Sequence, residues 1–270
     1  MAMKKYLSTP KFLTVSISTA AFIVSSLPTA SIAQFKPPFQ VSVKFPPGAN
    51  VGAPPRTTGT GARKAPCGFK DFTHQQTVEN SQESEISLTA LTPTNNVVTT
   101  LAPNPTVYIY IPKTINKTGE FRLIEVATEK IVYETNFPLV QNAGIMKVSM
   151  PKTVKVEANK KYQWQFMVIC NPNDREGDEM IQGWIERTNL NPEQIAKIAE
   201  FKEESLEKAR LYVEYGIWNE SVNTLAQLRD QNPTAKTEWA ELLNSVNLGN
   251  IAENNLFDCC SLASSPMTQP

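Results

Sequence analysis

The chain has 270 residues, 41% hydrophobic and 19% charged, and its 26 Lys and Arg balance 26 Asp and Glu. Such a composition suits a globular protein long enough for one large domain or two small ones. No Lys/Arg-dense block is present, which argues against a nucleic-acid ligand and against a polybasic hold on anionic lipid.

The first 33 residues follow the order of a signal peptide. Lys4 and Lys5 form the positive start, an apolar run extends from Phe12 to Leu27, and Ser31-Ile32-Ala33 places small residues before the predicted cleavage point. An uncleaved anchor is the rival reading. A spanning helix needs about 20 mainly apolar residues, whereas this run is interrupted by Thr14, Ser16, Ser18 and Thr19. Cleavage after Ala33 removes Lys4, Lys5 and Lys11 with no acid and leaves a mildly acidic chain. The predicted location is extracytoplasmic, in the periplasm or secreted, with no transmembrane segment after cleavage.

Residues 34–66 read as a linker, because Pro37, Pro38, Pro46, Pro47, Pro54 and Pro55 alternate with glycines. Too little apolar surface is available there to offset the entropy of ordering, so an extended, mobile segment is expected. Gly59-Thr60-Gly61 with Lys64 lacks the spacing of a phosphate loop.

Residues 67–190 carry short β-branched and aromatic runs separated by turn residues, and an antiparallel β-sandwich is predicted. The expected strands are Ser84 to Leu91, Thr106 to Ile111, Glu120 to Ala127, Lys130 to Asn136, Gly144 to Met150, Lys161 to Cys170 and Met180 to Thr188. Thr128-Glu129 joins the third and fourth as a hairpin. On the strand from Lys161, side-chain alternation puts Tyr162, Trp164, Phe166, Val168 and Cys170 on one face, towards the expected core.

Residues 191–257 change to helical spacing. Asn191-Pro192-Glu193-Gln194 has the cap, the proline and the Gln of a helix start. Ile195, Ile198, Ala199, Leu206, Ala209 and Val213 form a stripe that predicts one helix ending at Gly216. A second helix is expected from Asn219 to Asp230 and a third from Thr234 to Leu248, with Trp239, Leu242, Leu243 and Val246 inward. Residues 258–270 are expected to be a mobile tail. The predicted fold class is therefore α+β, an antiparallel β-sandwich followed by a C-terminal three-helix segment.

Four cysteines allow three full pairings, and an oxidising compartment favours their use. A Cys67–Cys170 disulfide is the expected structural bridge. It would close a loop of about a hundred residues, for which chain entropy suggests about 4–5 kcal/mol. Two reduced buried thiols are the alternative, and adjacent Cys259 and Cys260 are left to an incidental tail or a cross-link to a partner.

No residue pattern assigns catalysis, a cofactor or a metal. His74 stands alone in a polar stretch without ligand-spaced partners. Asp174, Glu176, Asp178 and Glu179 cluster after Cys170 but follow neither a calcium-loop order nor a spacing that reads as glycosidic acid and nucleophile. A solvated turn is the expectation there. Tyr108 and Tyr110 share a strand face and are expected in the core rather than on an exposed aromatic platform with Trp184 and Trp218.

Two resemblances add to this. Tyr212, Gly216, Leu225, Pro233, Trp239 and Leu242 stand where a tetratricopeptide repeat places its aromatic, turn-glycine, packing and terminal-proline positions. Ser221 replaces the usual Ala, and Leu243 the next Gly. From about Gly61 to Ile251 the chain also resembles the cyanobacterial family known as domain of unknown function 928. That match is carried by Arg63-Lys64-Ala65-Pro66-Cys67, Leu88-Thr89-Ala90-Leu91, Pro105-Thr106-Val107-Tyr108-Ile109-Tyr110-Ile111-Pro112, Tyr162-Gln163-Trp164 with Cys170, Gly183-Trp184-Ile185, Tyr215-Gly216-Ile217-Trp218 and Thr224-Leu225-Ala226-Gln227-Leu228. Asn219-Glu220-Ser221 departs from the family's usual Tyr-Asp-Ala, a change expected to fall on an exposed helix start. The resemblance implies an exported envelope protein and supplies no catalytic residues. The expected function is a non-enzymatic interaction module of the bacterial cell envelope with an envelope protein partner. A carbohydrate-binding or glycan-hydrolysing domain is the alternative.

Overall fold

A computed structural model describes residues 43–48, 56 and 87–259, all within one compact unit spanning residues 41–270. The predicted signal peptide, Cys67, His74, residues 84–86 of the first predicted strand and Cys260 lie outside the described residues.

Among the described residues, nine strands and four α-helices follow in chain order. The strands are β1 (Thr89–Ala90), β2 (Val97–Thr100), β3 (Thr106–Ile111), β4 (Thr118–Glu125), β5 (Lys130–Pro138), β6 (Gly144–Ser149), β7 (Lys161–Ile169), β8 (Glu179–Arg187) and, after the helices, β9 (Leu256–Asp258). The helices are α1 (Pro192–Ala199), α2 (Leu206–Glu214), α3 (Trp218–Leu228) and α4 (Pro233–Ser245). The class is α+β, with two sheets: β1-β3-β6-β9 and β2-β8-β7-β4-β5.

The sheets are mixed, which corrects the purely antiparallel expectation. β2 runs parallel to β8, and β9 parallel to β6, each at a sheet edge. Parallel neighbours need long crossover connections, and these two edge strands are only four and three residues long. Neither contains enough residues for an alternation to register in sequence. The remaining pairs are antiparallel, including the β4–β5 hairpin.

β7 carries the middle of the larger sheet. Tyr162, Trp164, Phe166 and Val168 are buried, and the Trp164 ring stacks on Phe121 of β4 at 6.4 Å between centroids. Gly183 of β8 lies opposite Trp164. A Cβ there would stand 2.7 Å from both Trp164 Nε1 and Asn96 Oδ1, so the indole occupies space that only glycine leaves open. Tyr108 and Tyr110 are buried, in one apolar cluster that also contains Phe121, Trp164 and Ile185 of the larger sheet and Trp218 and Leu225 of α3.

The single helix predicted from Asn191 to Gly216 is two. Asn191 caps α1 with the full capping box to Gln194. The chain then turns through Glu204 at φ 56, and Ser205 starts α2 by accepting from Lys208 N–H. Lys202 occupies the position between Ile198 and Leu206 where a continuous apolar stripe would place a hydrophobe, and the helix breaks around it. Ile195, assigned to the buried stripe, is 54% exposed.

The described pieces of two segments expected to be mobile, residues 43–48 and 258–259, are packed. Within the Pro/Gly-rich stretch, Val43 is buried and Phe45 packs edge-on against Trp218, centroids 4.8 Å apart. At the other end, β9 pairs Leu256 to Asp258 with Ile145 to Lys147. Cys259 follows it into the core, its N–H donating to Lys147 C=O at 3.0 Å.

Candidate functional site

The helix–sheet junction brings together several polar residues that each make more than one hydrogen bond. It begins where α2 turns into α3 through Gly216, whose φ of +70 lies in the left-handed region that glycine tolerates. Thr99 of β2 donates to Gly216 C=O at 2.6 Å and accepts from Trp218 N–H at 3.0 Å. The Trp218 indole, 2% exposed, donates to Leu91 C=O at 2.9 Å. These bonds supply partners for backbone groups that a helix N-terminus otherwise leaves open.

Glu220, in the first turn of α3, reaches back to the chain leaving β2. Its Oε1 accepts from Thr100 Oγ1–H at 3.0 Å, Leu101 N–H at 2.9 Å and Ala102 N–H at 3.0 Å. Burial pushes its carboxyl above the ordinary range, against the pull of those same donors. Tyr212 on α2 is pushed up to about 12, first by burial and then by the Glu220 and Glu203 charges. Asn219 donates to Thr106 C=O, and its Oδ1 accepts from Asn223, whose own oxygen accepts from Tyr108 Oη–H at 2.9 Å. Ser221 is fully buried and donates to Ile217 C=O.

Asn219-Glu220-Ser221 is therefore not an exposed helix start, as expected from the resemblance, but the point at which α3 is fixed to both sheets. A carboxylate in the first turn of a helix favours the dipole and ordinarily faces water. Here tertiary packing turns it inward, and no local pattern announces that.

Beside this junction lies an open cleft of about 530 Å³. Asn159, Lys161, Glu186, Thr188, Asn189, Gln194 and Tyr215 are among its walls. Lys161 pairs with Glu186 at 3.4 Å and sits 3.9 Å over the Trp184 ring, while Arg187 is tied to Leu101 and Val156 carbonyls. The lining combines amides, hydroxyls and one phenol with Lys160, Lys161, Glu186 and Arg187 and the apolar Leu190 and Ile217.

The other sequence candidates are placed elsewhere. Asp174 caps the short 3₁₀ turn at Arg175–Gly177. Asp178 accepts from Cys170 N–H at 3.0 Å and pairs with Arg175. Arg175 also reaches Glu120, which Arg122 meets at 2.7 Å. These carboxylates thus share arginines that close the β7–β8 turn onto β4. Among the described residues, no three His, Cys, Asp or Glu side chains gather as a metal-ion site. Cys170 follows β7 beside this turn, and Cys67 falls outside the described residues. Trp218, considered for an exposed platform, is internal.

On α4, Glu241 and Ser245 stand one turn apart, both half-buried. Glu241 Oε2 accepts from Val43 N–H and Ser245 Oγ from Phe45 N–H, each at 3.1 Å. Sequence composition marked residues 34–66 only as linker. The alternation of Val43, Lys44 and Phe45, apolar-polar-aromatic, matches their alternating burial.

A family model described as Domain of Unknown Function (DUF928) matches residues 58–256. No curated protein matches the chain.

Proposed function

The chain belongs to the family described as Domain of Unknown Function (DUF928), and from that premise we propose an exported, non-enzymatic protein-interaction module of the bacterial cell envelope. The observation that carries this reading is the fixing of α3 to the sheets through Thr99, Trp218, Asn219 and Glu220. Helices held in that way present their outer faces as a preorganised surface, which lowers the entropy lost when a partner binds. α1 adds Ile195, a large exposed aliphatic side chain.

The two sheets are proposed to face each other as a sandwich, supported by the single buried cluster that draws on both. The likeness of α2–α4 to a tetratricopeptide repeat is supported by the left-handed Gly216 and by burial of Leu225, Trp239 and Leu242. A Cys67–Cys170 disulfide is proposed as well, supported by Cys170 being a half-cystine. Export rests on the order of residues in positions 1–33.

Site-specific photocrosslinking in envelope membranes tests the function. A photoreactive residue at Ile195, or at Lys236 exposed on α4, is expected to capture a discrete protein, whereas one at Ile131 on edge strand β5 is not. Adducts only from Ile131 would overturn the reading. The second reading, a glycan-binding domain, is favoured by the convergence of Asn159, Thr188, Asn189 and Tyr215 in the cleft. Glycan-array binding that is lost with Tyr215→Ala would establish it.

A further inference from the structure

We propose that the face of α4 beside Trp218 is a peptide groove for an extended partner segment with an apolar residue, an aromatic two positions on, and a proline. In this structure the chain's own Val43-Lys44-Phe45-Pro46 occupies it. The inference rests on the interaction-module reading and names the chemistry of its partner.

The match is one of repeat lengths. Glu241 and Ser245 are four residues apart on α4, a rise of about 6 Å. Val43 and Phe45 are two apart in extended chain, about 6.6 Å. Side-chain acceptors on successive helical turns therefore meet successive inward N–H groups, as a sheet edge would meet a strand. Ser245 is positioned to accept because its own proton goes to Leu242 C=O at 2.7 Å. The side chains alternate correspondingly: Val43 is buried, Lys44 is exposed, and Phe45 sets its ring edge-on to Trp218. Pro46 then reaches Gly216, its Cγ 3.7 Å from where a Cβ would stand. Backbone bonds and side-chain pockets alternate, so the groove reads a pattern rather than a single side chain.

Two hydrogen bonds, the burial of Val43 and the contacts of Phe45 with Trp218, Pro46 with Gly216 and Gly48 with Asn95 oppose the entropy of ordering the segment, and tethering raises its effective concentration. A partner segment of the same pattern competes with it directly.

A labelled peptide with the sequence of residues 41–48, Val-Ser-Val-Lys-Phe-Pro-Pro-Gly, is titrated by anisotropy into the full chain and into its Val43→Ser/Phe45→Ala variant. Weakening the resident segment is expected to tighten peptide binding by about tenfold or more. Adding Glu241→Ala and Ser245→Ala is expected to reverse that gain. Equal affinity for wild type and variant, or no binding to a folded variant, overturns the proposal. Hydrogen exchange on the unaltered chain gives a reading that needs no variant. The amides of Val43 and Phe45 are expected to exchange far faster than those of Phe121 and Trp164, and equal protection would make the segment a permanent part of the core. Dimers that form with concentration would assign the groove to a second copy and overturn the partner assignment. If crosslinking captures a partner that the peptide does not displace, the groove falls while the module reading stands; peptide binding without any partner gives the converse.

Discussion

Glu220 offers the sharpest test of how the helices are fixed to the sheets. Replacing it by Ala removes the acceptor shared by Thr100 Oγ1–H, Leu101 N–H and Ala102 N–H. Each buried donor left without a partner costs about 1–3 kcal/mol. Ala102 N–H keeps a second acceptor in Thr100 Oγ1 at 3.0 Å, and Leu101 and Ala102 are only half-buried, so part of that is recovered and a net loss of about 2–4 kcal/mol is expected. For a unit of this size that lowers Tm by about 5–15 °C, measurable by calorimetry. Glu220→Gln separates the hydrogen bonds from the charge. Burial raises the native carboxyl above its ordinary 4.5, so the folded state holds the proton more tightly than the unfolded state. The contribution is fully present below about pH 4.5 and is lost as pH rises through the native value. Wild type is therefore expected to lose stability relative to Glu220→Gln across that interval, with the Gln variant at least as stable at neutral pH. A Glu220→Ala variant that melts with wild type, or a Gln variant with the same pH slope as wild type, would refute the reasoning.

Gly183→Ala drives a methyl into Trp164 and Asn96. A loss of about 1–3 kcal/mol is expected in denaturant unfolding, with a shifted Trp emission in the native state. Arg229 donates to the Ala252 and Asn254 carbonyls and lies 5.1 Å over the Trp239 ring. Arg229→Ala should cost about 2–3 kcal/mol and speed hydrogen exchange in β9, the strand those carbonyls lead into. Ile195→Glu should leave stability within about 0.5 kcal/mol while removing partner crosslinks from α1.

Much of the architecture was legible because several residues carried unambiguous local signals. Thr106 to Ile111 is a β-branched and aromatic run bounded by prolines, and β3 has those limits. The alternation from Tyr162 to Val168 identified the buried face of β7, and Asn191 with Gln194 marked the start of α1 with its capping box. β2 and β9 escaped because their pairing is decided by distant partners, β8 and β6. The site was harder still. Glu220 and Asn219 read as an ordinary solvated first turn, and only the docking of α3 on β2 and β3 makes them structural. Val43 and Phe45 were hidden by the prolines around them, since composition averages over the two residues that find pockets.

The central claim is that the helical layer is the recognition surface. Its most direct measurement is quantitative capture from a detergent-solubilised envelope extract by the full chain, its Ile195→Glu/Glu241→Ala variant and its Ile131→Glu variant. The account predicts a discrete protein enriched by wild type and by Ile131→Glu and lost with the helix-face variant. Enrichment that survives the helix-face changes and disappears with Ile131→Glu would contradict it.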